Sequence, residues 1–254
     1  MTKQRRLLGI GLCGLISTFT QAETLKIAIQ GALPPFDYME GGQVKGFNVE
    51  ITHALCADMK VTCVVVKTPW EELIPSVSSG KVDAVISSMS ITAERQKIVS
   101  FSERYTRSPA SFVAKKKKYL TTYITALDLK GKTAGAQAGT IYENLMRGRY
   151  PEVPLKTFST TADMYKSLQA GEIDIALDDM VSAYYGYVQT PAGKGLELVG
   201  SPIRDSKYMG IGEGVVVKLN NKALANRFST AITNIRKSGV YQQIMNKYFM
   251  FNVY

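Results

Sequence analysis

Two short stretches carry side chains suited to gripping a small charged molecule. In "SSMSITAER", Ser87, Ser88 and Ser90 precede Arg95. In "ALDDM", Asp178 and Asp179 stand side by side. An arginine fork holds a carboxylate through two parallel hydrogen bonds. Serine hydroxyls and a helix N-terminus near Thr92 add donors for the same anion. An aspartate accepts from an ammonium group. Facing each other across a cleft, the two stretches would bind an α-amino acid, or a relative of one, as a zwitterion. Taken singly, the serines read equally well as a helix cap, Arg95 as a surface residue and Asp179 as a cap.

Catalytic motifs are absent. The sequence has no H-E-x-x-H, no G-x-S-x-G and no phosphate-binding glycine loop. Its single histidine, His53, falls in a helical pattern beside Cys56 and is expected to be structural or exposed. No Ser–His or Cys–His arrangement can be built from it. The expectation is therefore a protein that is not an enzyme and uses no cofactor or metal.

The two stretches belong to an internal repeat. "SGKVDAVISSM" (Ser79 to Met89) and "AGEIDIALDDM" (Ala170 to Met180) align without gaps. Each follows a helical pattern, "WEELIPSVSSG" or "ADMYKSLQAG". The glycine suits a helix C-cap, and the apolar run after it suits a strand buried on both faces. "TLKIAIQG" and "GKTAGAQAGT" read as the opening strands of the two units, "GFNVEITHALCADM" as an amphipathic helix and "CVVVK" as a further strand. The βαβα pattern predicts two α/β lobes built on parallel sheets. Ligands in such sheets sit beyond the carboxyl ends of the strands. That places Gln30–Pro35, Ser87–Ser90, Gln137–Tyr142 and Asp178–Asp179 at cleft openings.

Composition agrees with a globular chain: 254 residues, 45% hydrophobic and 20% charged. The start differs from the rest. Lys3, Arg5 and Arg6 precede the apolar "LLGIGLCGLISTF", and small residues follow up to Ala22, which predicts a cleaved secretory signal over residues 1–22. Removing its three basic residues lowers the formal net charge from +10 to +7. No later run is apolar enough to span a bilayer, so the remainder is expected to be soluble. Its two cysteines, Cys56 and Cys63, suggest a local disulfide in an exported chain; buried thiols or a metal pair are the alternatives. The basic residues are dispersed and not interleaved with aromatics, so no nucleic-acid partner is expected. "KKKK", Lys115 to Lys118, reads as a solvated surface and, less readily, as an attractor of anionic partners at a membrane face.

At this level of detail the chain resembles a family: the bacterial periplasmic solute-binding proteins of polar amino-acid ABC importers. The similarity is greatest to the lysine/arginine/ornithine-, histidine- and opine-binding group. It rests on "PPFDYMEGGQVKGFNVEI", "ALCADMKVTC", "SSMSITAERQKIVSFSERY", "QAGTIYENL", "AGEIDIALDDMVSAYYG" and "YFMFNVY", and spans residues 23–254. The resemblance implies the type II two-lobe fold, with hinge crossings near Ala110–Ala114 and Gly210–Val216. Lobe 1 would comprise 23–110 and 211–254, and lobe 2 would comprise 111–210. It implies a monomer in the periplasm that delivers its ligand to a membrane ABC permease. Arg95 would grip the α-carboxylate, helped by Ser90 and the Thr140–Ile141 backbone. Asp179 would take the α-ammonium with Ser88 nearby, and Ser87 would reach the ligand side chain. The disulfide spacing matches the group's. Gln30 stands where relatives carry an acid and Leu33 where they carry an aromatic. Trp70 could supply the missing platform, Ile141 lacks a hydroxyl that relatives often have, and Tyr142 adds a bulky polar tip. A larger polar ligand, such as an opine or a glutamine-like amino acid, therefore stands beside lysine and arginine. The fold also admits a prephenate- or arogenate-type dehydratase, or a receptor module for a separate sensor kinase.

Overall fold

The apolar runs of the two repeat copies become strands of two separate five-stranded sheets. The computed structural model describes residues 23–254; the expected secretory signal lies outside them. In chain order the first region comprises β1 (Thr24–Ile29), β2 (Ala32–Leu33), β3 (Asp37–Glu40), β4 (Gln43–Lys45), α1 (Phe47–Asp58), β5 (Thr62–Lys67), α2 (Trp70–Ser79), β6 (Ala84–Val85), α3 (Ala93–Gln96) and β7 (Val99–Thr106). The second comprises β8 (Ala110–Lys115), β9 (Ala134–Gln137), α4 (Ile141–Arg149), β10 (Leu155–Phe158), α5 (Thr161–Ala170), β11 (Ile175–Asp179), α6 (Met180–Ala183), β12 (Leu196–Ile203) and α7 (Ser206–Met209). The chain then returns through β13 (Glu213–Lys218) to α8 (Lys222–Lys237) and α9 (Val240–Tyr248).

The first sheet has the order β5-β1-β6-β13-β7 and the second β10-β9-β11-β8-β12. The expectation of parallel sheets holds for three strands in each. β1 is parallel to β5 and β6, and β9 is parallel to β10 and β11. The remaining pairings are antiparallel: β13 with β6 and β7, and β8 with β11 and β12. The physical reason is the path of the chain. β8 and β13 each arrive from the other sheet and not through a βαβ crossover within their own, so they enter running the opposite way.

The helices α2 and α5 both end on a glycine in the left-handed region, Gly80 at φ 78° and Gly171 at φ 81°. A side chain would strain either position, which explains the shared "G" of the repeat. On α1, Phe47, Ile51 and Leu55 are fully buried at successive i+4 steps and pack with Phe228 of α8 and Tyr241 of α9 in one core. Cys56 of α1 and Cys63 of β5 form the expected disulfide. His53 is exposed on α1. No helix among the described residues is long and apolar enough to cross a membrane.

The chain passes between sheets at two places, 107–109 and 204–212. Ala110–Ala114, near which the first crossing is expected, forms most of β8 and begins directly after the first passage. Most of Gly210–Val216 likewise belongs to β13. The two passages run side by side. Thr106 pairs with Glu213 in the first sheet, and Ala110 pairs with Ile203 in the second.

Candidate functional site

The strand ends of the two sheets converge on one cavity. It is lined by Gln30, Leu33, Trp70, Ser88, Ser90 and Arg95 from the first sheet's side, and by Gln137, Thr140, Ile141, Tyr142, Asp178 and Asp179 from the second. Ten of the residues singled out in the sequence meet there. Ser87 does not. It is fully buried, donates through Oγ to Asp37 Oδ2 at 3.0 Å and accepts from the Gln30 backbone N–H at 3.0 Å. Its hydroxyl is engaged in holding the β1–β2 loop, away from the residues that line the cavity.

Asp37 is the centre of that support. Its carboxyl accepts from the backbone N–H groups of Gly31 and Ala32, from Asn48 Nδ2 at 2.7 Å and from Ser87. Burial pushes its carboxyl upward against these bonds. The loop carrying Gln30 and Leu33 is thereby fixed. Ser88 sits in the left-handed region at φ 51°. A non-glycine residue is held there only when its surroundings over-determine it. Here the Tyr105 hydroxyl accepts from Ser88 N–H at 2.8 Å, and Asn48 Nδ2 donates to Ser88 Oγ at 3.1 Å.

Arg95 rises from the four-residue α3, where its own N–H donates to the capping hydroxyl of Thr92 at 3.3 Å. Its Nη1 donates to the Ser90 carbonyl at 3.1 Å and its Nη2 to the Gly139 carbonyl at 3.3 Å. The guanidinium lies 5.4 Å from the Trp70 ring centre. Enclosure lowers its pKa to about 10, so it stays charged at neutral pH. Opposite it, Thr140 caps α4 and its hydroxyl donates to the Gln137 carbonyl at 2.7 Å, leaving that helix's first turn at the cavity.

Asp179 both caps a helix and lines the cavity. Oδ1 accepts from Ser182 N–H at 2.8 Å, while Oδ2 accepts from the hydroxyls of Ser108 and Tyr142. Burial outweighs these bonds and raises its carboxyl to about 6. Asp178 accepts from the Tyr165 hydroxyl at 2.9 Å and from Asp179 N–H at 2.8 Å. Burial first, and the neighbouring Asp179 second, push it to about 7. Gln30 is buried, and none of the observed hydrogen bonds involves its side-chain amide. Gln137 and Asp178, which the sequence places at the cleft openings without a separate role toward the ligand, line the cavity as well. Among the described residues no cluster of metal-ligating side chains is present.

Further bonds close the cavity. Ser182 Oγ donates to the Pro34 carbonyl at 2.8 Å and Thr161 Oγ1 to the Ala32 carbonyl at 3.4 Å. With Arg95 and Gly139, they link the two sheets' elements on either side of the site.

This arrangement can be set against known proteins. Residues 25–251 match the model of the bacterial extracellular solute-binding proteins, family 3. The chain belongs to that family. It is 38% identical to the L-arginine-binding protein of Pseudomonas aeruginosa, across 99% of this chain and 98% of that protein. Among solved structures, a Salmonella typhimurium periplasmic binding protein with high arginine specificity superposes with a TM-score of 0.81. The two are 25% identical over 90% of this chain and 100% of that one. An ancestral amino acid-binding protein, described as a precursor of cyclohexadienyl dehydratase, superposes at 0.76. It is 25% identical over 89% of this chain and 95% of that one. The two-sheet α/β architecture is therefore the type II fold of periplasmic solute-binding proteins.

Proposed function

We propose that this solute-binding protein captures a polar or basic amino acid, or an opine-like derivative, as a zwitterion between two lobes in the periplasm, and hands it to a membrane ABC permease. The observation that carries this reading is the placement of Arg95 and Asp179 on opposite sides of one cavity. The ligand carboxylate would displace the Gly139 carbonyl from Arg95 and take its paired donors. The ammonium would meet Asp179, whose carboxyl then ionises. Ser90, Ser88 and the N–H groups at the start of α4 would complete the polar shell, leaving the ligand side chain at Gln30, Leu33, Trp70 and Ile141.

Lobe 1 would comprise 23–110 with 211–254, and lobe 2 would comprise 111–210, rotating about the two adjacent crossings as the ligand bridges them. The arginine-binding relatives favour a basic ligand. The amides of Gln30 and Gln137 suit a neutral polar one equally well.

A thermal-shift panel of the common amino acids and of opines tests the reading. A true ligand at 100 times its Kd should stabilise the protein by about 2.7 kcal/mol. Stabilisation by none of the panel would refute it. No catalysis is part of the proposal. Steady turnover of prephenate or arogenate would replace binding with a dehydratase function, for which the buried acids and the dehydratase precursor's likeness give a specific reason to assay.

A further inference from the structure

Glu213 has a chemistry that the zwitterion reading leaves unused. It opens β13 between Gly212 and Gly214, is 6% exposed, and its Oε2 has no hydrogen-bond partner among the described residues. Arg107 and Arg204 line the same small cavity, yet Oε2 takes a bond from neither. A buried carboxyl left this way is costly unless it is neutral or meets a cation.

Its surroundings lead to the ammonium end of the site. Glu213 bridges in antiparallel fashion to Ser90, which lines the ligand cavity. It pairs with Thr106, and Asp179 pairs with Ala110. Thr106 and Ala110 are four residues apart, so an extended chain separates them by roughly 13 Å at most. Ser108 lies midway. Its hydroxyl donates to Asp179 Oδ2, and it shares the small cavity with Glu213. Burial first, and the charge of Asp179 second, hold the Glu213 carboxyl well above the usual carboxylate range. The two acids thus belong to opposite sheets and feel each other across the crossing.

We infer that Glu213 is a positioning residue for the ligand's ammonium group: a second carboxyl behind Asp179, connected to it through Ser108, that supplies negative charge when a cation enters the cleft. In the empty cleft the two like charges oppose joint ionisation. An arriving ammonium relieves that opposition for both. The effect favours ligands bearing an α-ammonium over otherwise identical molecules without one. The inference rests on the zwitterion reading.

Calorimetry on the full chain tests it with two probe pairs: L-arginine against 5-guanidinopentanoate, and L-glutamine against glutaramate. Each pair differs by the α-amino group alone. For whichever pair the wild type binds, Glu213→Gln should cut its preference for the amino acid by roughly tenfold or more, with little change in affinity for the deaminated partner. Glu213→Asp keeps the charge and should retain most of the preference, with thermal unfolding confirming that both variants are folded. An unchanged preference, or equal losses for both members of a pair, would overturn the inference and leave the zwitterion reading standing. A wild type that shows no preference for either amino acid would overturn both.

Discussion

The Arg95 guanidinium donates through Nη2 to the Gly139 carbonyl at 3.3 Å, joining α3 on the first sheet's side to the turn before α4 on the second. This bond spans the cleft and marks where an anion from a ligand would sit. Removing the guanidinium takes away both the cross-cleft tie and the fork for a carboxylate. Arg95→Ala is expected to weaken amino-acid binding by about 2–5 kcal/mol, read as a rise in Kd by calorimetry. Retained tight binding would sink the zwitterion geometry.

Binding should depend on pH through Asp179. Burial raises its carboxyl to about 6, whereas an ammonium ligand requires the charged form. Affinity is therefore expected to level off above pH 7 and to fall as pH drops through about 6. Asp179→Asn should flatten that slope and weaken binding at neutral pH by ~2–4 kcal/mol. Titrations between pH 5 and 8 decide the matter; an affinity that rises on acidification would contradict it.

Asp178 makes a prediction about stability. Its folded value of about 7 lies above the ordinary value of 3.8. For such a group the stabilising contribution is fully present below about pH 4 and is lost as pH rises through about 7. Asp178→Asn should then stabilise the ligand-free protein near pH 8 by up to about 4 kcal/mol, or roughly 8–16 °C in Tm, with little gain near pH 4. Equal shifts at both pH values would show that the effect is not titration.

The side-chain end is set by different residues. Trp70 is half-buried at the cavity and faces Arg95. Trp70→Ala should cost ~0.5–2 kcal/mol of affinity through lost stacking and cation–π contact. Gln30→Glu should move preference toward arginine and away from glutamine, since a buried carboxylate there would need a cation. Competition between the two amino acids measures the switch directly.

The Cys56–Cys63 disulfide closes a short loop between α1 and β5. Reduction, or replacement of both cysteines by serine, is expected to lower stability by about 2–3 kcal/mol without changing ligand preference. Chemical denaturation provides the stability measurement.

Much of this architecture could be read from residue types. The two helix–glycine–strand units were legible because a buried strand spells an apolar run and a left-handed cap calls for glycine. Strand direction was not. β8 and β13 carry the same apolar residues whichever way they run, and only the path between sheets makes them antiparallel. The fate of Ser87 was equally hidden, because its partner Asp37 lies fifty positions away at the start of the short strand β3, with no matching pattern. Asp179 stood out because the repeat set it and Ser88 at corresponding strand ends, with Arg95 a few residues beyond. Glu213 had no such companion; a single acid among glycines and valines carries no sign of what faces it.

The side-by-side crossings have a mechanical consequence. Thr106 is registered to Glu213 at one end, and Ala110 to Ile203 at the other. The two cables between the sheets are thus clamped to each other at both terminals. Such a pair can flex together like the spine of a book, but neither can lengthen or slide alone. Deleting a single residue from 107–109 would reverse which face of β8 looks inward and turn every side chain beyond it out of phase. The cleft's freedom to open and the precision with which it shuts have one origin in that paired joint.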